Sequence, residues 1–199
     1  MDPPWPEYGG GKIVRGAQSH YRLCRNRDEV LEAILSCPQM AEIAADSHCF
    51  IWATNNFIPD GLWIMTKLGF TYKTNVVWCK PKIGIGQYFR GQHELLLFGV
   101  QGKGMDESVY SGARDIASVI HADYVRGPSG KAIHSAKPEA FTELVTRRSK
   151  GPYLELFARR QAPVADWVCW GPDSGLVPGE DHLRDDGPLF DDGTEPSEG

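Results

Sequence analysis

The sequence predicts a three-layer α/β domain over residues 1–171 and a disordered acidic tail over 172–199. Three observations carry this. Short apolar runs suited to buried strands alternate with stretches whose apolar residues recur at helical spacing. An apolar share of 41% in 199 residues suffices for one core. The charge balance also changes sign at Pro172. From there on the chain holds nine acids and one arginine, a balance of −8 against −5 for the whole, which leaves +3 for residues 1–171. Such a tail cannot bury a core.

The elements follow in chain order. Residues 6–27 are rich in glycine, arginine and polar residues and read as a loop, either mobile over a site or an ordinary connection around Gly9-Gly10-Gly11. Asp28 is placed to cap a helix starting near Glu29, with Val30, Leu31, Ile34 and Leu35 on one face. Pro38 interrupts it, and a second short helix is expected over 39–45. Residues 48–54 form an apolar run that reads as a buried parallel strand. Pro59 suits a first helical turn, Leu62, Met65 and Leu68 make a stripe, and Gly69 ends that helix. Further strands are expected at 71–79, 94–100, 117–121 and 153–157, with loops at 80–93 and 101–115. A helix is expected over 138–149, with Phe141, Leu144 and Val145 inward.

The string Asp2-Pro3-Pro4-Trp5 is the most specific local signal. Proline lacks an N–H and has a fixed φ, so two in succession give a stiff stretch whose carbonyls aim at a ligand. Asp2 can accept one hydrogen bond from an exocyclic amine and the Pro3 carbonyl a second, while Trp5 offers a flat face to a base. The bland alternative is a proline-rich arm with a solvent-facing aspartate. On the 80–93 loop, Tyr88 and Phe89, with Tyr8 upstream, are candidates for a pocket rim, and Lys80, Lys82 and Arg90 are placed to meet phosphates. Ordinary solvated charges are the alternative there.

Other chemistries fail on spacing. Gly127-Pro128-Ser129-Gly130-Lys131 resembles the end of a phosphate loop, but Val125 and Ala132 stand where glycine and Ser/Thr are needed. The six histidines form no His-Glu-x-x-His, and no metal site is expected. Five scattered cysteines without Cys-x-x-Cys point to reduced thiols and a cytoplasmic setting. No segment approaches the ~18 apolar residues of a membrane span, and the N-terminus lacks a signal-peptide pattern.

Taken together, Asp2–Trp5, 50–55, 69–73, 77–80, 90–99, 134–139, 154–160 and 167–171 resemble the MT-A70 family of adenine N6-methyltransferases in order and spacing. The resemblance implies a Rossmann-like class I methyltransferase sheet with helices on both faces, circularly permuted so that the cofactor segment follows the catalytic one. It implies S-adenosylmethionine as cofactor and adenine in nucleic acid as substrate. Asp2, Pro3, Pro4 and Trp5 then hold the reacting base, with Trp5, Tyr8, Lys80, Tyr88 and Arg90 on the substrate side. Asp2, Lys137, Glu155, Phe157, Arg159 and Gln161 fall to the cofactor. Family members carry a hydrophobic strand running into Asp-Pro-Pro-Trp, and this chain starts one residue before that motif, so the sheet is expected to lack it. Pro172 and Asp173 replace the Asn and acidic or amide residue that often follow the closing Trp-Gly.

Three functions stay open at this level. The first is adenine methylation, with DNA favoured over RNA because long appended segments are absent. The second is an inactive nucleic-acid-binding remnant, and the third is cytosine N4 methylation. In the tail, Leu189-Phe190 beside acids resembles short clamp-binding peptides, with two apolar residues in a disordered tail as the alternative.

Overall fold

The computed structural model describes residues 1–6, 24–84, 88–133, 136–158 and 160–171. Tyr8, the Gly9–Gly11 run, Arg159 and the acidic tail with Leu189 and Phe190 lie outside the described residues.

The first helix, α1, spans Arg27–Leu35. Its cap is Asn26 rather than Asp28: the Asn26 side chain accepts from the Glu29 N–H at 3.0 Å. Asn26 has an extended backbone and stands three residues before Glu29, which is the capping geometry. Asp28 instead falls in the first turn, where its charge faces the helix N-terminus. Val30 and Ile34 are buried, whereas Leu35 faces out. A 3-10 turn over Pro38–Glu42 replaces the short helix expected at 39–45, because the chain returns to extended geometry at Ile43.

Strand β1 (Ser47–Ala53) leads through a 3-10 turn into helix α2 (Ile58–Lys67). Strands β2 (Thr71–Cys79), β3 (His93–Gln101) and β4 (Val119–His121) follow. Helix α3 (Ala140–Arg148) precedes β5 (Tyr153–Leu156) and β6 (Trp167–Trp170). The four-stranded sheet has the order β1-β3-β2-β4, and β5 and β6 pair in parallel. Strand β3 is antiparallel to both β1 and β2, while β4 is parallel to β2. The expectation that residues 48–54 pair as a parallel strand is therefore corrected. An apolar run reports burial on two faces, and a central strand has that whichever way its neighbour runs.

Helices cover both faces. Cys49, Ile51, Ala53 and Leu97 pack with Val30 and Ile34 of α1 and Ile64 and Met65 of α2. On the other face Trp52, Trp78 and Leu96 pack with Phe141 and Leu144 of α3. Side chains alternate along a strand, so neighbours such as Ile51 and Trp52 enter different cores. Both cores are apolar, which is why the strands do not read as alternating.

Met1 and Asp2 lie between β1 and β5. The Met1 amino group donates to the Phe50 carbonyl at 2.8 Å, and the Trp52 N–H donates to the Met1 carbonyl at 3.1 Å. The Asp2 N–H donates to the Leu156 carbonyl at 3.4 Å. The start of the chain thus runs along β1 and touches β5, delivering Asp2 to the carboxyl ends of both strands.

Candidate active site

In α/β sheets the carboxyl ends of parallel strands form the crevice where ligands bind, and Asp2 sits there. Its carboxylate accepts a hydrogen bond from Lys137 Nζ at 2.8 Å. Lys137 stands just ahead of α3, and its ammonium lies 5.3 Å from the centre of the Trp52 ring. The structure therefore brings together two residues that are 135 positions apart and that the sequence marked independently.

A third residue, Glu94, completes the cluster, and sequence reasoning did not find it. Glu94 is near the start of β3, opposite Trp78 in register. One carboxylate oxygen lies 3.5 Å from Lys137 Nζ, and the other accepts from Lys80 Nζ. Lys80 also sits 5.0 Å from the Trp78 ring centre. The charges run Asp2, Lys137, Glu94, Lys80, alternating in sign. In the sequence Glu94 is simply the first residue of the strand expected over 94–100. The available signal was an acid placed two residues before the buried Leu96 of the same strand, where water is excluded and a cation must face it.

The two acids titrate in opposite directions. Burial pushes the Asp2 carboxyl above the usual aspartate range, and Lys137 only partly offsets it. Burial also pushes Glu94 up, but Lys137 and Lys80 together outweigh it and hold Glu94 below the usual range. Asp2 has Lys137 and, more weakly, the N-terminal amino group against its burial, with the Glu94 charge adding to the rise, whereas Glu94 has both Lys137 and Lys80 bound to it.

The rest of the Asp-Pro-Pro-Trp string folds differently from expectation. Trp5 is a core residue, 7% exposed, in the cluster under α1 and α2. Its ring stacks on Phe57 with centroids 5.5 Å apart, and its Nε1 donates to the Trp52 carbonyl at 2.8 Å. The expectation of an open face for a base is corrected, because this amphipathic ring gains more from apolar burial with its N–H satisfied. The Pro3 carbonyl accepts the Trp5 N–H at 2.8 Å, a tight turn that leaves one lone pair. The Pro4 carbonyl accepts from the Cys24 N–H at 3.0 Å.

The residues expected on the cofactor side divide. Glu155 does not join Asp2 and Lys137. Its carboxylate accepts from Arg160 at 2.9 and 3.1 Å and from Trp167 Nε1 at 3.0 Å. Arg160, unmarked in the sequence reading, also reaches Glu139 and Thr142, tying β5 and β6 to α3. Phe157, at φ +61°, turns the chain sharply at the end of β5 and packs edge-on to Trp170. Gly171 lies against this turn, where a Cβ would come within 2.4 Å of the Ala158 backbone. That approach explains why the closing Trp170-Gly171 needs glycine. Gln161 is exposed.

On the substrate side, Lys80 is turned inward to Glu94 and is not a free phosphate contact, since the buried acid requires it. Arg90 is exposed and donates to the Gly84 carbonyl at 2.6 Å. Tyr88 and Phe89 stand out in water, 102% and 87% exposed, with Tyr88 at φ +59°. Both are exposed loop aromatics with no place in the core.

No helix among the described residues is long and apolar enough to cross a membrane. Cys37, Cys49, Cys79 and Cys169 are free thiols, with burial pushing Cys49 up to about 12 and Cys169 to about 11. No curated protein matches the chain. The sequence profile of the MT-A70 family matches residues 1–173. The chain belongs to the MT-A70 family of N6-adenine methyltransferases, which use S-adenosylmethionine as methyl donor.

Proposed function

We propose that this protein transfers a methyl group to the 6-amino group of adenine in nucleic acid, DNA before RNA, and that Asp2 with the Pro3 carbonyl orients the reacting amine. One observation carries the reading: the Asp2 carboxylate stands at the carboxyl edge of the sheet, held by Lys137 with Glu94 behind it. The donor set fits the cofactor. Two carboxylates and an ammonium in one partly desolvated cluster suit a ligand with an amino group, a carboxylate and a sulfonium cation. S-adenosylmethionine supplies, when bound, an electrophilic methyl group, so no metal is required.

The chain's own residues then have separable tasks. The adenine amine is a poor nucleophile because its lone pair is delocalised into the ring. Hydrogen bonds from that amine to Asp2 and to the remaining lone pair of Pro3 favour a pyramidal nitrogen and fix its direction. Alignment and charge placement carry most of the acceleration. Lys137 keeps a positive charge beside Asp2 and is free to exchange it for a ligand carboxylate. Glu94 and Lys80 hold Lys137 in place. Trp5 anchors the motif from the opposite core. Tyr88, Phe89 and Arg90 form the rim that meets the nucleic acid. Met1 and Asp2 lie between β1 and β5, a position that supports reading the family's strand into Asp-Pro-Pro-Trp as belonging there. With that strand, the late position of β5 and β6 is the circular permutation. The carboxyl ends of β5 and β6, with Phe157, Arg159 and Gln161, fall to the cofactor; Glu155 braces them through Arg160.

The test is incorporation of labelled methyl into adenine-containing DNA and RNA, with nucleoside mass spectrometry of the product. N6-methyladenine should form with the wild type and vanish with Asp2→Ala. Label found only in cytosine overturns the base assignment, and full activity of Asp2→Ala overturns the mechanism.

A further inference from the structure

The opposite end of the sheet carries a cavity of about 730 Å³ that plays no part in the cluster around Asp2. Its walls come from the start of β1 (His48), the start of β2 (Thr71, Lys73), the end of β3 (Phe98, Val100) and the turn 102–106, with Tyr110 and Arg148 closing it. From Trp52, which pairs with Met1, back to His48 is four residues, or about 13 Å along the strand. A ligand here is thus separate from one at Asp2.

Its chemistry is mixed in a particular way. Phe98, Val100, Met105 and Tyr110 give an apolar lining, and Met105 is largely exposed although no core requires it. Lys73, Lys103 and Arg148 contribute three cations against one acid, Asp106. Among the described residues none of these three cations forms an ion pair with a carboxylate, and Arg148 lies over the Tyr110 ring at 5.3 Å. The cavity is preformed. His48 is locked between two partners: Nε2–H donates to the Gly104 carbonyl at 2.6 Å, and Nδ1 accepts from the Ser149 hydroxyl at 2.7 Å. A carbonyl can only accept, which fixes the tautomer. Gly104 sits so close to β3 that a Cβ would come within 2.0 Å of Val100. The turn is therefore clamped onto the strand ends.

We infer that this cavity is a second binding site for a phosphorylated nucleoside, its ring against Phe98, Val100 and Tyr110 and its phosphate between Lys103 and Arg148. A flat ring matches the apolar walls, a dianion matches three cations that share one carboxylate, Asp106, which Lys103 faces, and the volume lies in the range of ligand sites, about 300–1,000 Å³. The nucleotide is either free or one unit of a bound strand. The inference does not depend on the methyl-transfer reading.

Calorimetry on the full chain with saturating S-adenosylhomocysteine separates the sites. Adenosine 5′-monophosphate should bind wild type and Asp2→Ala equally. The variants Arg148→Gln and Lys103→Gln should each weaken it by about tenfold, the scale of one charged hydrogen bond. Lys73→Gln, at an exposed strand position, provides a third reading should Arg148→Gln fail to fold. Adenosine without phosphate should bind far more weakly than the monophosphate. A tetranucleotide that binds more tightly than the monophosphate, with the same loss in the variants, identifies a strand; equal or weaker binding identifies the free nucleotide. Binding that is lost in Asp2→Ala, is indifferent to all three cation variants, or is matched by inorganic phosphate overturns the assignment.

Discussion

Replacing Glu94 by glutamine removes one charge, keeps the shape, and strikes the centre of the alternating cluster. At 3.5 Å from Lys137, and with an effective dielectric constant near 20, the pair attraction is about 4–5 kcal/mol before desolvation is counted. Removing the charge also relieves the desolvation of a carboxylate whose side chain is 12% exposed. Lys80 retains some water at 22% exposure, and Lys137 retains Asp2. The net loss should be about 2–3 kcal/mol, just below the range for breaking a fully buried pair. Urea unfolding should show a midpoint lower by about 1 M at a typical slope. The pH dependence gives the sign. Glu94 is held low in the fold, so its contribution is fully present above the ordinary carboxylate value and is lost as pH falls through the folded value. The stability gap between wild type and Glu94→Gln should therefore close on acidification from about pH 6 toward pH 3. Asp2 is raised, so it acts in reverse: stability is favoured while it is protonated and is lost as pH rises through its folded value. Removing Asp2's charge by Asp2→Asn should make acid destabilisation steeper. An unchanged midpoint in Glu94→Gln, or a gap that widens in acid, would refute the reasoning.

Further outcomes follow from other contacts. Lys137→Ala should weaken S-adenosylmethionine binding by about 1–3 kcal/mol in calorimetry, the range for a charged hydrogen bond; unchanged affinity removes Lys137 from the cofactor site. Trp5→Ala should cost about 3–5 kcal/mol of stability as a core deletion, whereas Trp5→Phe keeps the ring against Phe57 and loses only the bond to Trp52. A Trp5→Ala protein of normal stability but poor methyl transfer would restore the open stacking role. Gly171→Ala should lower the melting temperature by several degrees, because its Cβ would meet backbone atoms of Ala158, which cannot rotate aside; a normal melting curve would show that the turn at Phe157 yields.

The sequence by itself determined the existence of nearly every element, since each strand and helix is marked by an apolar run or stripe bounded by proline, glycine or a capping residue. It also singled out Asp2 through the Asp-Pro-Pro-Trp string and Lys137 through the resemblance of its Lys-Pro pair, and the fold sets the two side by side. Direction and adjacency were another matter. Nothing in residues 93–101 states that β3 turns back between β1 and β2, because burial on two faces looks the same for either orientation. Strand β6, Trp167–Trp170, was not marked as an element and emerges only through its parallel pairing with β5. The surroundings of Trp5, Glu155 and Glu94 were decided only in three dimensions. Trp5 reads as a base platform until its N–H finds the Trp52 carbonyl and its ring finds Phe57. Glu155 reads as a ligand contact, and the fold sets one of its two oxygens, Oε2, against Arg160 and Trp167. Glu94 reads as a strand acid until Lys80 and Lys137, from two distant connections, converge on it. A side chain's chemistry is fixed by its type, but its protonation and its free hydrogen-bonding capacity depend on neighbours that only the folded chain supplies.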